Sequence, residues 1–190
     1  YCNELLVQSV TFYAFSTENW RRPLEEVGAI MRLFGEYLVK AFDYQKENNR
    51  VVFLGDRSAL APEHQELMDE IERKTAHNTG MTLNIAVNYG GRQEILRAAQ
   101  RLAERAQEGK LAPKEITEQL FAQELYTCGQ KDPDFILRPS GEKRLSNFLL
   151  WQSAYAEFID SDVLWPDFTR QDLDAAIEEF NRRSRRFGGL

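Results

Sequence analysis

The segment Arg138–Glu157 places two arginines and a lysine within its first seven residues, around a Ser-Gly turn. Guanidinium groups bind phosphate oxygens in pairs, and hydroxyls and backbone N–H groups complete such sites. The segment then continues as an apolar run that ends in Glu157. Cations beside an apolar wall suit a ligand that is both phosphorylated and greasy, so a lipid diphosphate is the leading hypothesis.

Structural interpretations compete with this one at two positions. Arg144 can form an ion pair with Glu142 or Glu157, and ion pairs of this kind are often purely structural. Glu157 is either a buried partner of an arginine or a metal ligand. Magnesium binds one or two carboxylates together with substrate phosphates, so Glu157 suits that ion beside a diphosphate.

A second polar segment, residues 16–22, follows a predicted strand. Its candidate residues are Ser16, Thr17, Glu18, Asn19, Trp20 and Arg22. The alternative is a capped strand-to-helix turn in which a hydroxyl is the N-cap and Trp20 is a packing residue. The sequence contains neither GxxxxGK[ST] nor GxGxxG, which argues against P-loop and Rossmann chemistry.

Composition narrows the class of protein. A chain of 190 residues is long enough for one hydrophobic core and predicts one domain. A net charge of −6 argues against a nucleic-acid surface. Two cysteines without a CxxC motif argue against a disulfide framework or a zinc site and suit a reducing cytoplasm. No apolar run approaches the roughly 20 residues of a membrane-spanning helix.

The elements that must position the polar residues alternate along the chain. Strands are predicted over 9–15, 51–54, 81–87, 135–137 and 157–159, and helices over 23–42, 62–76, 93–107, from 113 and over 172–185. This order predicts an α/β fold with a mainly parallel central sheet flanked by helices. The first strand lacks clean alternation and is predicted to be buried on both faces. The polar segments follow strands, where ligands bind in open α/β sheets.

Several further residues have structural interpretations. His64 and His77 are expected at the surface. Ile116, Leu120 and Leu125 are expected to face inward. The aromatic residues Trp151, Tyr155, Trp165 and Phe168 are expected to pack in the core rather than stack on a ligand.

Four motifs together resemble one known family. They are Y-A-F-S-T-E-N-W-x-R-P, N-Y-G-G-R, L-R-P-S-G-E-K-R-L-S-N-F-L-L-W-Q-x-A-Y-A-E-F and V-L-W-P-D-F, in that order. They are similar to the motifs of cis-prenyltransferases, most of all the bacterial undecaprenyl diphosphate synthases, and they extend over nearly the whole chain. The resemblance implies sequential condensation of isopentenyl diphosphate onto an allylic diphosphate, usually farnesyl diphosphate, with new double bonds in cis.

The resemblance also implies a setting for that reaction. It implies Mg²⁺ as cofactor, a cytoplasmic homodimer, a lipid carrier for cell-wall synthesis as product and peripheral contact with a membrane during product release. A hydrophobic tunnel is implied, lined by Ala14, residues 30–34, Val51 and Met81.

Residue roles follow from the matched motifs. Ser16, Thr17, Glu18, Trp20 and Arg22 correspond to substrate-binding residues, and Asn19 to the residue assigned as proton acceptor. Arg138, Arg144 and Ser146 correspond to the isopentenyl diphosphate site, with Leu145 between them. Glu157 corresponds to a magnesium ligand. Arg186–Gly189 resembles a tail that helps to complete the neighbouring subunit's site.

One family element is missing. Family members begin with a strand and an Asp-Gly-Asn loop that supplies the catalytic aspartate, and no Asp-Gly-Asn occurs here. We therefore expect residues 1–190 to be a single domain that is incomplete at its N-terminus, inactive and poorly folded alone. Two alternatives stay open: a non-catalytic subunit of a prenyltransferase complex, and a general phosphate-binding α/β protein.

Overall fold

The computed structural model describes residues 1–40 and 47–183, and the chain divides into two compact units, Tyr1–Cys128 and Gly129–Leu190. In chain order the elements are β1 (Ser9–Ser16), α1 (Leu24–Lys40), β2 (Arg50–Leu54), α2 (Pro62–Thr75), β3 (Thr82–Tyr89), α3 (Gly91–Gln107), α4 (Glu118–Ala122), β4 (Phe135–Arg138), β5 (Glu157–Asp160) and α5 (Arg170–Arg182). All strand pairs among these residues are parallel, which confirms the α/β prediction.

The first unit contains a three-stranded sheet in the order β1-β3-β2. Because side chains alternate along a strand, Leu83, Ile85 and Val87 of β3 share one face. Helices α1 and α2 cover that face. The buried cluster there comprises Phe15, Val27, Leu38, Val51, Phe53, Leu60, Met68, Ile71 and Val87. The broad apolar face of α1 is therefore accounted for by packing on the sheet and on α2.

The side chain of His64, a residue of α2, packs against α1 and is partly buried, whereas full surface exposure was expected. Its ring packs edge-on against Phe34, with centroids 5.6 Å apart. A Cβ added at Gly35 would lie 2.8 Å from His64 Nε2, so the absent side chain of Gly35 leaves room for the imidazole. The sequence could not show this contact because the two residues belong to different helices.

The second unit contains the parallel pair β4-β5, in which Phe135 lies opposite Glu157 and Arg138 opposite Asp160. Helix α5 packs beside this pair, and the rings of Phe135 and Phe180 lie 5.1 Å apart. The register places Arg138 at the carboxyl end of β4. The polar segment that follows therefore starts from a fixed backbone position.

Some predictions about burial are wrong. β1 lies at one end of the described three-stranded order, and its Phe15 is 2% exposed whereas its Phe12 is 42% exposed, so it is not buried on both faces. Tyr155 and Trp165 are 77% and 56% exposed and do not pack in a core. Ile116 is also exposed, because the predicted helix from Pro113 is a short 3-10 turn followed by the brief α4.

Two further observations bear on the predictions. Among the described residues, no helix combines the length and the apolar character needed to cross a membrane. The tail Arg186–Gly189, predicted to help complete the neighbouring subunit's site, lies outside the described residues.

A glycine at the end of β2 is required by the approach of that strand to β3. Gly55 has φ +127°, and a Cβ there would lie 2.0 Å from the Val87 carbonyl oxygen. We expect Gly55→Ala to lower the free energy of unfolding by about 3 kcal/mol or more, because backbone strain and a backbone collision add. Urea denaturation measures this loss.

Gly109→Ala is the matched control. Gly109 also has positive φ, +71°, but no neighbouring heavy atom lies within 4 Å of the added Cβ. Gly109→Ala is expected to lower the free energy of unfolding by about 1–2 kcal/mol, because only the left-handed backbone disfavours alanine there. Equal losses for the two variants would contradict the close approach at Gly55.

Candidate active site

The segment Ser16–Arg22 leaves the end of β1 as a 3-10 turn, Thr17–Arg21. The Asn19 side-chain oxygen accepts the backbone N–H of Ser16 at 2.8 Å, which closes the turn. The turn is therefore capped, as the structural alternative predicted, with Ser16 at the N-cap and the Asn19 oxygen accepting its backbone N–H. The Asn19 side-chain oxygen is already hydrogen-bonded, and a neutral amide is a very weak base.

Trp20 is held by a residue that the sequence reasoning did not select, Asn88. The indole Nε1–H donates to Asn88 Oδ1 at 2.7 Å, and Asn88 Nδ2 donates to the Asp56 carbonyl at 2.7 Å. The Trp20 ring also packs edge-on against Phe15, with centroids 5.0 Å apart. Asn88 belongs to the Asn-Tyr-Gly-Gly-Arg motif, so its position near a strand end was the available signal.

The remaining candidates of this segment lie at the surface or partly buried. The Thr17 hydroxyl donates to the Glu18 carboxylate at 3.2 Å. Arg22 pairs with Glu26, one helical turn further on, at 2.7 Å. Exposed pairs of this type contribute about 0–1 kcal/mol, so Arg22 can exchange Glu26 for another anion at small cost.

A chain of tyrosines leads from β1 into the interior of the first unit. The Tyr13 hydroxyl donates to the Tyr89 carbonyl at 3.1 Å. The Tyr89 hydroxyl donates to the buried Glu94 carboxylate at 2.5 Å, and the Tyr126 backbone N–H donates to the other Glu94 oxygen at 2.8 Å. Burial, followed by the nearby Glu18 carboxylate, raises the pKa of Tyr13 to about 12. The contacts of Tyr89 and Tyr126 stabilise the buried Glu94 carboxylate.

In the second unit, the structure brings Arg138, Arg144 and Ser146 together. One terminal nitrogen of Arg138 donates to the Arg144 carbonyl at 2.7 Å and to the Ser146 hydroxyl at 2.9 Å. The Arg144 guanidinium pairs with Glu142 and is exposed. The half-buried Leu145 lies between them and accepts the Phe148 backbone N–H at 3.1 Å. Arg138 therefore folds the loop back onto the end of β4.

The Ser-Gly turn has a different use from the one expected. Ser140 and Gly141 both have positive φ, +76° and +68°. Their backbone N–H groups donate to the carbonyls of Val163 and Ser161, at 2.9 and 2.8 Å. These two donors hold the turn against the chain that follows β5, so the interpretation of them as phosphate donors is wrong. An anion site in this loop would therefore depend on side chains.

Glu157 is the partner of an arginine. Its carboxylate accepts from Arg183 at 2.8 Å, and Arg183 also donates to the Phe158 carbonyl at 2.9 Å and to Glu179 at 3.1 Å. These two carboxylates hold the pKa of Arg183 above its usual range. The contacts tie the start of β5 to the end of α5.

The donor set for magnesium is therefore limited. No group of three or more histidine, cysteine or acidic side chains that could hold a metal occurs in the described part of the chain. Glu157 is one partly exposed carboxylate already paired with Arg183. Such a set fits only a site in which phosphate oxygens and water supply the other ligands, which is the usual arrangement for magnesium beside phosphorylated substrates.

The predicted residues thus form two groups, each within its own unit. Residues 16–22 share one turn with Asn88 behind it, and Arg138, Arg144 and Ser146 share one loop with Glu157 on the neighbouring strand. The second group can bind an anion of high charge through guanidinium and hydroxyl groups. The individual roles stay predictions.

Comparison with known sequences gives consistent matches. The family model for undecaprenyl diphosphate synthase matches residues 1–188. The isoprenyl transferase of Clostridium perfringens is 47% identical over 190 residues, which cover 100% of this chain and 75% of the relative. The isoprenyl transferase of Bacillus subtilis is 48% identical over 189 residues, which cover 99% of this chain and 73% of the relative.

Comparison with solved structures agrees. A lavandulyl diphosphate synthase from Lavandula x intermedia, in complex with dimethylallyl diphosphate, matches with a TM-score of 0.95 at 34% identity, covering 98% of this chain and 81% of the neighbour. A probable undecaprenyl diphosphate synthase from Campylobacter jejuni matches with a TM-score of 0.87 at 38% identity, covering 99% of this chain and 86% of the neighbour.

The raised pKa of Tyr13 predicts a pH dependence of stability. The folded-state pKa, about 12, exceeds the ordinary value of 10.0, so the stability contributed by the protonated phenol is complete below pH 10 and is lost as the pH rises towards 12. We expect the difference in free energy of unfolding between wild type and Tyr13→Phe to move in favour of the variant from pH 8 to pH 11. Denaturation at both pH values measures it, and a constant difference would contradict the assignment.

Proposed function

Because the chain belongs to the undecaprenyl diphosphate synthase family and is a prenyltransferase, we propose that it condenses isopentenyl diphosphate units in cis onto an allylic diphosphate. Farnesyl diphosphate is the proposed primer, and a long-chain polyprenyl diphosphate that serves as the undecaprenyl carrier for cell-wall synthesis is the proposed product. The supporting observation is the ordered loop in which Arg138 and Ser146 are hydrogen-bonded beside the exposed Arg144.

This loop is the proposed site for the diphosphate of isopentenyl diphosphate. Arg138 is held in place before a ligand arrives, so little side-chain entropy remains to be lost on binding. Arg144 is paired with Glu142 at the surface, where such pairs are weak. A diphosphate carries more charge than one carboxylate and would displace Glu142 from Arg144.

The segment Ser16–Arg22 is the proposed site for the allylic substrate. Arg22 and the hydroxyls of Ser16 and Thr17 supply positive charge and donors. Asn19 is proposed to orient a reacting group rather than accept a proton, since its amide is a weak base. Unchanged kinetics in an Asn19→Asp variant would contradict any specific role for this residue.

The growing chain is proposed to occupy a tunnel beside β1 and α1. Ala14 is exposed on β1, whereas Val51 is buried in the core and Met81 is half-buried next to β3. Partly buried Ile30, Met31 and Phe34 of α1 pack against the same core. An apolar enclosure keeps water away from a developing carbocation and aligns the alkene of the nucleophile with it.

Magnesium is proposed to be held by Glu157 together with the substrate phosphates. When bound, it offsets charge on the phosphates and so helps diphosphate to leave. Glu157 would share its carboxylate between that ion and Arg183. A Glu157→Gln variant with an unchanged magnesium requirement would contradict this assignment.

The resemblance also supports a homodimer in the cytoplasm, with peripheral membrane contact as the product leaves. Sedimentation of the full-length protein, with and without phospholipid vesicles, tests the homodimer and the membrane contact. A monomer at all concentrations, or no co-sedimentation with vesicles in the presence of product, would contradict them.

The proposed reaction has a direct assay. The full-length protein is incubated with farnesyl diphosphate, labelled isopentenyl diphosphate and Mg²⁺, and butanol-soluble products are separated by chain length. We expect a ladder of polyprenyl diphosphates with cis double bonds, and its loss when EDTA removes the metal. Absence of any elongated product would contradict the proposal, and all-trans products would contradict its stereochemistry.

Arg138 is expected to matter for isopentenyl diphosphate and much less for the primer. Hydrogen bonds to charged groups contribute about 1.5–3 kcal/mol, so Arg138→Gln should raise the KM for isopentenyl diphosphate about tenfold to a hundredfold. The KM for farnesyl diphosphate should change by less than about threefold.

Arg182→Gln is the matched control, because Arg182 is an exposed arginine of the same unit that pairs with Glu179. It should leave both constants unchanged. Equal effects of the two substitutions, or an effect of Arg138→Gln on the primer alone, would show that the loop does not bind isopentenyl diphosphate.

A further inference from the structure

Asn88 lies where the ends of all three strands of the first unit meet. It is the second-last residue of β3, it is 6% exposed, and its backbone is left-handed with φ +46°. Asparagine adopts this conformation more readily than most residues with a side chain. The unusual backbone turns the side chain of a buried strand residue to the carboxyl edge of the sheet.

Three hydrogen bonds join Asn88 to the turns that follow β1 and β2. Its Oδ1 accepts the Trp20 indole N–H at 2.7 Å, its Nδ2 donates to the Asp56 carbonyl at 2.7 Å, and its own carbonyl accepts the Asp56 N–H at 3.3 Å. Both the oxygen and the nitrogen of the Asn88 amide are hydrogen-bonded. Only this orientation of the amide places its oxygen opposite a donor and its nitrogen opposite an acceptor. Rotation of the Asn88 side chain would break both side-chain bonds.

The bond from Trp20 fixes the position of the turn Thr17–Arg21. The indole ring has a single N–H donor and no acceptor, so the direction of this hydrogen bond sets the rotation of the ring. The edge-on contact with Phe15 sets the plane of the ring. Trp20 directly follows Asn19 in the chain, and the position of its ring therefore restrains the backbone that presents the candidate side chains.

Asp56, the second hydrogen-bond partner of the Asn88 side chain, lies just after the end of β2, where that strand approaches β3 closely. Asp56 follows Gly55, whose backbone lies so close to the Val87 carbonyl that no side chain fits there. The Asp56 carbonyl that receives the Asn88 amide is therefore fixed by the pairing of β2 with β3. The turn after β1 is anchored through Asn88 to the central strand and its neighbour.

We propose that Asn88 is a positioning residue for prenyl transfer: it holds Trp20, and through Trp20 the segment Ser16–Arg22, in the arrangement that the reaction requires. The inference rests on the proposed function of that segment. Asn88 acts through Trp20 and not by contact with substrate. Misplacement of reacting groups by about 1 Å lowers rates about a hundredfold, which sets the scale of the expected effect.

The kinetic test compares Asn88→Ala, Trp20→Phe and the double variant in the full-length protein. Phenylalanine keeps an aromatic ring against Phe15 but removes the indole N–H. Asn88→Ala should lower kcat about tenfold to a hundredfold and change the KM for isopentenyl diphosphate by less than about threefold, since Arg138 and Ser146 are unaltered. If the bond carries the effect, the double variant is no worse than Asn88→Ala alone. Multiplied losses would overturn the proposal.

A spectroscopic measurement that does not depend on enzyme activity complements the kinetic test. The protein has three tryptophans, and Trp20→Phe assigns the Trp20 indole N–H signal in a nitrogen-15 spectrum. In wild type this proton should exchange slowly with solvent, and in Asn88→Ala it should shift and exchange at least tenfold faster. An unchanged signal would overturn the proposal.

Asn84→Ala is the control for loss of a buried amide from the same strand. Asn84 is 1% exposed, and its amide donates to the hydroxyls of Ser9 and Thr11 at 3.1 and 3.2 Å, away from the turn. This variant should lose stability but keep its kcat and the Trp20 signal. An Asn84→Ala loss of kcat equal to that of Asn88→Ala would overturn the positioning role.

The outcomes separate this proposal from the proposed function. Wild-type protein that forms no polyprenyl product would overturn the proposed function and this role with it. Wild-type protein that elongates normally, together with Asn88→Ala of normal kcat, would overturn this role alone. If Asn88→Ala does not fold, Trp20→Phe decides, because it removes the same bond from the other side and must reproduce the fall in kcat.

Discussion

Parallel pairing of β3 with both β1 and β2 is the constraint on which the first unit depends. It aligns three strands in one direction, so that their carboxyl ends and the turns that follow them meet at one edge of the sheet. It also brings the end of β2 so close to β3 that residue 55 can have no side chain. The position of Trp20 and the buried location of Asn88 both follow from this alignment.

Several cationic side chains that could bind a phosphorylated ligand are already hydrogen-bonded or ion-paired within the protein. Arg138 is bonded to Ser146, Lys143 pairs with Asp160 at 3.1 Å, and Arg183 pairs with Glu157. Such contacts keep flexible side chains in order without a ligand. Because partly exposed pairs are weak, the diphosphate that we propose as ligand would replace them at small cost in free energy.

The errors of prediction have common physical causes. β1 was expected to be buried on both faces because its composition is apolar, but burial depends on which segments pack over each face of the sheet, and Phe12 and Ala14 on one face are exposed. Tyr155 and Trp165 are as apolar as core residues, yet their exposure depends on which segment packs over them. The Ser140–Gly141 turn has the expected shape, but its N–H groups bond to a segment about 20 residues away in the chain.

The sequence by itself determined the order of strands and helices, the α/β class and the motifs that identify the family, because periodicity, turn residues and motif spacing are local properties. The residues Arg138, Arg144 and Ser146 were also found from sequence, since a loop of nine residues keeps them near one another. Only the tertiary structure decided that Asn88 meets Trp20, 68 positions earlier, and that Glu157 meets Arg183, 26 positions later. Contacts at such separations depend on strand register and helix packing, which leave no local pattern in the chain.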